Sequence, residues 1–245
     1  MNLHERQKQY ERVSQTYLMR RTPVIIRLDG VAFHTFTKNF KKPVDHVLAQ
    51  IMKSVTRYLV NNIQGCVLGY TQSDEISLVL QDYKKQDTDA WFGYNVQKLV
   101  SVSAKMATAQ FSKVFDDVVC GIPMEFCSLY MNAFKDNNVG FDSRCWNLPV
   151  DEVNNYLIDR QQDAERNSLN LLAQQYYTQE ELKGINAKQL QNKLFVEKGV
   201  NWNDLDTCEK RGYVALPLID PEYPYCETPI FSKNPSFVNS RIIFK

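Results

Sequence analysis

Two aspartates stand where short apolar runs give way to turn-forming residues: Asp29 in Arg27-Leu28-Asp29-Gly30, and Asp74 in Gln72-Ser73-Asp74-Glu75. Carboxylates are hard oxygen donors. A converging pair suits magnesium, which takes a few such ligands and keeps its other positions for water or phosphate. Two divalent ions held about 3.5–4 Å apart activate an attacking hydroxyl and neutralise a triphosphate, as phosphoryl and nucleotidyl transfer require. The Gly30 carbonyl would complete the metal set Asp29, Gly30 and Asp74, and glycine leaves room for a triphosphate to approach the backbone. Other catalytic signatures are missing from the sequence. It has no Gly-Lys dipeptide and hence no Walker A loop, no GxGxxG, HExxH or GxSxG, and only three histidines.

Convergence depends on the elements that carry the pair. Pro23 to Leu28 reads as a buried strand running into the Asp29-Gly30 turn. Leu48, Ile51, Val55 and Leu59 recur at helical spacing between Val44 and Asn62. Gly65 to Tyr70 and Glu75 to Leu80 form a hairpin around Thr71 to Asp74. A long helix is expected near 90–115, with Phe92, Val96, Leu99, Val102 and Met106 on one face, and a fourth strand over Met124 to Tyr130. The order is β-α-β-β-α-β, an α+β, ferredoxin-like antiparallel sheet of the polymerase-palm kind. In that order strand three inserts between strands one and two, so the end of strand one meets the start of strand three. Asp29 and Asp74 then share one edge of the sheet.

Residues 3–20 are polar with helical spacing, and a mainly helical stretch from Val150 to Lys198 precedes a strand at Tyr213 to Leu216. Pro217, Pro221, Pro224, Pro229 and Pro235 predict an extended terminal loop. The division expected is a palm-like catalytic domain over 1–135 and a mainly helical extension over 136–245, packed on it.

A net charge of +1 with 23% charged residues gives no global cationic field. A nucleic-acid partner would be held by local patches, bound metal or shape. The six cysteines, Cys66, Cys120, Cys127, Cys145, Cys208 and Cys226, include no CxxC pair and read as reduced core thiols. The N-terminus is charged from His4 onward and no apolar run approaches the ~20 residues of a membrane span, so a cytoplasmic protein with no membrane partner is expected.

Arg27-Leu28-Asp29-Gly30, Phe33-His34-x-Phe36, Lys42-Pro43-x-Asp45, Gln72-Ser73-Asp74-Glu75-x-Ser77, Phe141-Asp142-x-Arg144 and Arg160-Gln161-x-Asp163 follow one another along most of the chain. This ordered set resembles the tRNA-His guanylyltransferase family of 3′-to-5′ nucleotide-adding polymerases. The resemblance implies catalysis by Asp29, Asp74 and Glu75, with two magnesium ions on Asp29, Asp74 and the Gly30 carbonyl. It implies a nucleotide (ATP, GTP or another triphosphate) cradled by Asp29, Gly30, Val31, Ala32, Phe33, His34 and Ser73, with Lys42, Asp45 and Lys98 assisting. It also implies tRNA or a second nucleotide on Arg27, Arg144, Arg160 and Asn167, and a homotetramer.

One block departs from the family pattern. Eukaryotic members carry His-Ile-Asn-Asn-Leu-Tyr-Asn where this chain has Glu165-Arg166-Asn167-Ser168-Leu169-Asn170. The departure is similar to the bacterial or archaeal guanylyltransferase-like branch, and it implies templated repair of the tRNA 5′ end, after activation of the 5′-phosphate by ATP or GTP. The alternatives are a dedicated tRNA-His guanylyltransferase, a cyclase or forward polymerase on the same palm, and a non-catalytic RNA-binding module of the RRM type. Strand three offers no aromatic for the stacking that an RRM uses.

Overall fold

The apolar run that Pro23 opens is an inner strand of the sheet, flanked on both sides by other strands. The computed structural model describes residues 1–220, 222 and 227–243. Strands β1 (Val24–Gly30), β2 (Cys66–Gln72), β3 (Glu75–Leu80), β4 (Phe141–Asn147) and β5 (Tyr213–Ala215) form an antiparallel sheet in the order β4-β1-β3-β2-β5. Among the described residues ten α-helices surround it: α1 (Leu3–Val13), α2 (Phe33–Phe36), α3 (His46–Asn62), α4 (Val96–Val119), α5 (Met124–Asp136), α6 (Glu152–Ala173), α7 (Gln179–Leu182), α8 (Ala187–Lys198), α9 (Thr207–Arg211) and α10 (Pro235–Ile242). The α+β class and the palm-like strand order are those expected from the sequence.

Strand alternation divides the core into two layers. Val24, Ile26 and Leu28 face a cluster built with α3 and α4, including Ile51, Val55, Leu59, Leu99 and Phe111. Ile25 and Val79 face the other side, against Val153 and Leu157 of α6 and Phe237, Val238 and Ile242 of α10. Arg27 and Asp29 share the Ile25 side of β1 and so lie under α6. A third cluster joins the end of α6 to α8 through Leu169, Leu172, Leu190, Leu194 and Trp202.

Met124 to Tyr130 is not a strand. It opens α5, where Tyr130 is buried and Cys127, Met131 and Phe134 pack against the α3–α4 cluster. That i, i+3, i+4, i+7 spacing is helical and extends past the seven residues read as a strand. Met124 and Phe126, the residues that made the run look apolar, are 90% and 55% exposed. The fourth strand lies further on, at Phe141–Asn147, pairing with β1 from Gly30↔Phe141 to Val24↔Asn147. The sheet therefore draws strands from both sides of residue 135.

The second long helix begins at Val96 rather than near 90. Phe92, Gly93 and Tyr94 take φ of +50, +58 and +60°, a left-handed turn that α-helix cannot continue, and Asn95 caps α4 by accepting from the Lys98 amide at 3.0 Å. Phe92 is consequently off the helix face and half-exposed. In the Pro-rich end, Pro235 starts α10, Pro217 and Pro229 lie outside helices and strands, and Pro221, Pro224 and Cys226 fall outside the described residues. The five described cysteines are free thiols. No helix among the described residues is long and apolar enough to cross a membrane.

Candidate active site

The β2–β3 turn closes on Ser73 and Asp74 alone, with Gln72 paired to Glu75 and Ser73 at φ +50°. Because β3 lies beside β1, Asp29 stands opposite Glu75, and the Gly30 amide donates to the Asp74 carbonyl at 3.2 Å. The two aspartates share one edge of the sheet, as the topology requires. Gly30 is needed for packing: a Cβ there would meet the Phe33 ring at 2.3 Å. The space above Gly30 is thus taken by Phe33, where the sequence suggested room for a triphosphate.

Charge is concentrated on the α6 side of this edge. Asp29 Oδ2 lies 3.5 Å from Arg27 Nε and 3.3 Å from an Arg144 guanidinium nitrogen, and Arg144 also reaches Asp142 at 3.2 Å. Arg160 of α6 pairs with Glu75 at 3.3 Å and with Asp159 at 2.6 Å. All three arginines singled out in the sequence therefore surround the carboxylates. Burial raises the Asp74 carboxyl above the usual range, and the negative charge of Asp29 adds to the effect. Burial also raises Glu75, opposed by Arg160 and Arg27.

From Asp74 a cleft of about 960 Å³ opens between α2, the loop before α3, the C-terminal half of α6 and α9. Phe33, His34, Lys42, Asp45, Ser73, Asp74 and Asn167 line it. Ala32, at φ +54°, turns the chain from β1 into α2 and brings exposed His34 to the cleft, while the Val31 amide is held by the Gly140 carbonyl at 2.9 Å. The Phe33 side chain belongs to the core, packed on Phe36, Phe111 and Phe141.

Asp45 presents no free carboxylate. It caps α3, accepting from the Lys41 and Leu48 amides and from Tyr130 Oη at 2.9–3.0 Å, so it fixes the Lys41–Lys42 loop. Lys98 is not brought to the aspartates. The start of α4 is tied to Thr16 and Leu18, and Asn147, which bonds the Met19 amide, pairs with Val24 at the opposite end of β1. Thr108 accepts from the Phe141 amide, level with Gly30, so Lys98 lies on the order of 15 Å away along α4. The α4 lysine one turn from Thr108 is Lys105. Sequence reading missed it because helix periodicity alone does not say which turn reaches the active edge. It also missed Lys53 and Tyr213 on the cleft wall, the latter supplied by a strand far away in sequence.

The donor set fits magnesium. Two carboxylates at one edge, one of them raised by burial and further by the other's charge, would be relieved by a shared cation, and the Gly30 carbonyl adjoins Asp29 in the chain. No cluster of three or more His, Cys, Asp or Glu with metal-holding geometry occurs among the described residues, so any ion would rely on this small oxygen set plus substrate phosphate.

Comparison with known proteins gives the same answer from sequence and from structure. Residues 4–149 match the family model described as tRNAHis guanylyltransferase. The tRNA(His) guanylyltransferase of Schizosaccharomyces pombe is 29% identical over 88% of this chain and 81% of its own; an uncharacterized mimivirus protein is 28% identical over 77% and 68%. A bacterial tRNA(His) guanylyltransferase-like protein in complex with ATP superposes with a TM-score of 0.86 at 40% identity, covering 99% of this chain and 100% of that one. The bacterial like protein in complex with GTP gives 0.80 at 38%, with 99% of each chain covered. The chain belongs to the tRNA(His) guanylyltransferase family of nucleotidyltransferases.

Proposed function

We propose that this protein adds nucleotides in the 3′-to-5′ direction to the 5′ end of truncated tRNA, choosing each one by pairing with the opposing strand. The observation that carries this reading is the state of Glu165. It occupies the place of the histidine in the eukaryotic block, and its carboxylate is engaged by Arg211 Nε at 2.8 Å, tying α6 to α9. A side chain spent on that ion pair leaves no dedicated reader for a single added guanosine. Beside it, Ser168 accepts from the indole of Trp202 at 3.1 Å, a second structural use of the same block. Base choice then falls to the template.

In this reading the 5′-monophosphate first attacks the α-phosphorus of ATP or GTP and displaces pyrophosphate. The 3′-hydroxyl of the incoming nucleotide then loses its proton and attacks the activated 5′-phosphorus, displacing AMP or GMP. Asp29, Asp74 and the Gly30 carbonyl would hold two magnesium ions, which when bound neutralise the triphosphate and acidify the attacking hydroxyl. The residues of the chain do the rest. Ser73, His34 and Lys42 flank the nucleotide along the cleft, and Arg27 and Arg144 balance the charge of Asp29. The partners are tRNA and nucleoside triphosphates, and the assembly is the homotetramer implied by the family, in the cytoplasm.

The experiment is nucleotide addition to four tRNAs that lack their first 5′ nucleotide and differ only in the base opposite it, with ATP, all four triphosphates and magnesium. The added base should follow the opposing base. Uniform addition of G would restore the dedicated histidine-tRNA reaction, a reading that the curated relatives' names favour.

A further inference from the structure

Helix α6 meets β3 through two polar rungs. Tyr156 Oη lies 2.7 Å from Ser77 Oγ, and Arg160 donates to Glu75 Oε2 at 3.3 Å. Ser77 is fully buried, so its neighbours set the direction of its hydroxyl. With Tyr156 donating to Ser77 Oγ, the serine proton is free for Glu75 Oε1, 3.4 Å away. The chain Tyr156→Ser77→Glu75←Arg160 then gives each oxygen of Glu75 one donor.

The spacing makes this a register lock. Tyr156 and Arg160 are four residues apart on one helix face, an advance of about 6 Å. Ser77 and Glu75 are two apart on one strand face, an advance of about 6.6 Å. Both rungs close in one alignment of α6 on β3, and a shift of one helical turn breaks both. Glu75 adjoins Asp74 and stands opposite Asp29, while the same helix carries Ala164, Asn167 and Leu171 into the cleft wall.

We propose that Tyr156 and Ser77 are positioning residues. Acting through Glu75, they hold the helix that walls the nucleotide cleft in register with Asp29 and Asp74, without touching substrate. The proposed nucleotidyl transfer enters only as the reaction being positioned.

The test is Tyr156→Phe, which deletes the hydroxyl and keeps the ring edge-on to Trp146, 5.7 Å between centroids. Turnover in nucleotide addition should fall about tenfold or more, with KM for the nucleotide within about threefold. Ser77→Ala should match it, and the double variant should fall no further, because both remove one rung. Amide hydrogen exchange over residues 73–77 should quicken about tenfold in each variant. Wild-type turnover in Tyr156→Phe, additive losses in the double variant, or unchanged exchange would each overturn the proposal. Exchange is read on the protein alone, so a wild-type enzyme inactive on tRNA would sink the proposed function and leave this test standing.

Discussion

Asp29 is about a third exposed and is ion-paired with Arg27 and Arg144 near the surface, so its removal should disable chemistry far more than folding. Asp29→Ala removes a part-exposed ion-pair contact 3.5 Å from Arg27 Nε, an atom that makes no hydrogen bond, so the loss is about 1 kcal/mol or less. Asp74→Ala deletes a side chain on a two-residue turn. Either change should lower nucleotide addition at least about a hundredfold while the circular dichroism spectrum and melting temperature stay close to wild type. Near-normal turnover in magnesium for either variant would end the metal assignment. This pair was legible in the sequence because an Asp-Gly ending one strand and a Ser-Asp opening another must meet once the strand order is known. The roles of Asp45 and Lys98 were not legible: a helix cap and a ligand carboxylate look alike in one dimension, and a lysine's turn on a long helix is set by packing.

At the level of elements, the loop between α2 and α3 depends on a side chain from α5. Tyr130 donates to Asp45, and burial together with that carboxylate pushes the phenol up to about 12. A raised acid in the folded state stabilises fully below its unfolded value near 10, and the contribution is lost as pH rises through 12. Tyr130→Phe should therefore cost about 1 kcal/mol at pH 8, with the gap to wild type shrinking steadily from pH 10 to 12 in denaturant titrations. A gap that is constant with pH would show that the hydrogen bond does not carry the shift. That α5 is a helix escaped the sequence reading because seven apolar-rich residues are as long as a strand and the helical period needs Met131 and Phe134 to declare itself. Strand β4 escaped because Asp142, Ser143, Arg144 and Asn147 leave no apolar run. Polar residues tolerate that edge position, where one side of the strand is open and α6 leaves Asp142 and Arg144 exposed.

Among the described residues of the whole molecule, the ion pairs engage arginines. Arg20 pairs with Asp82, Arg160 with Glu75, Arg166 with Asp163, Arg211 with Glu165 and Arg241 with Asp220. Lys41 and Lys42 at the cleft rim are exposed, as is Lys105. With a net charge of +1, each subunit can neutralise few phosphates. Each neutralised phosphate contributes roughly 0.7–0.9 to the slope of log affinity against log salt, so tRNA binding should show a shallow slope of about 2–4 per subunit. The measurement is tRNA affinity across a series of salt concentrations, at protein levels where the oligomeric state is fixed. Lys41→Ala with Lys42→Ala should lower the slope by about one to two units, because both lysines are exposed on the wall of the cleft. A steep wild-type slope, unchanged in that double variant, would place the RNA on a basic surface that forms only between subunits.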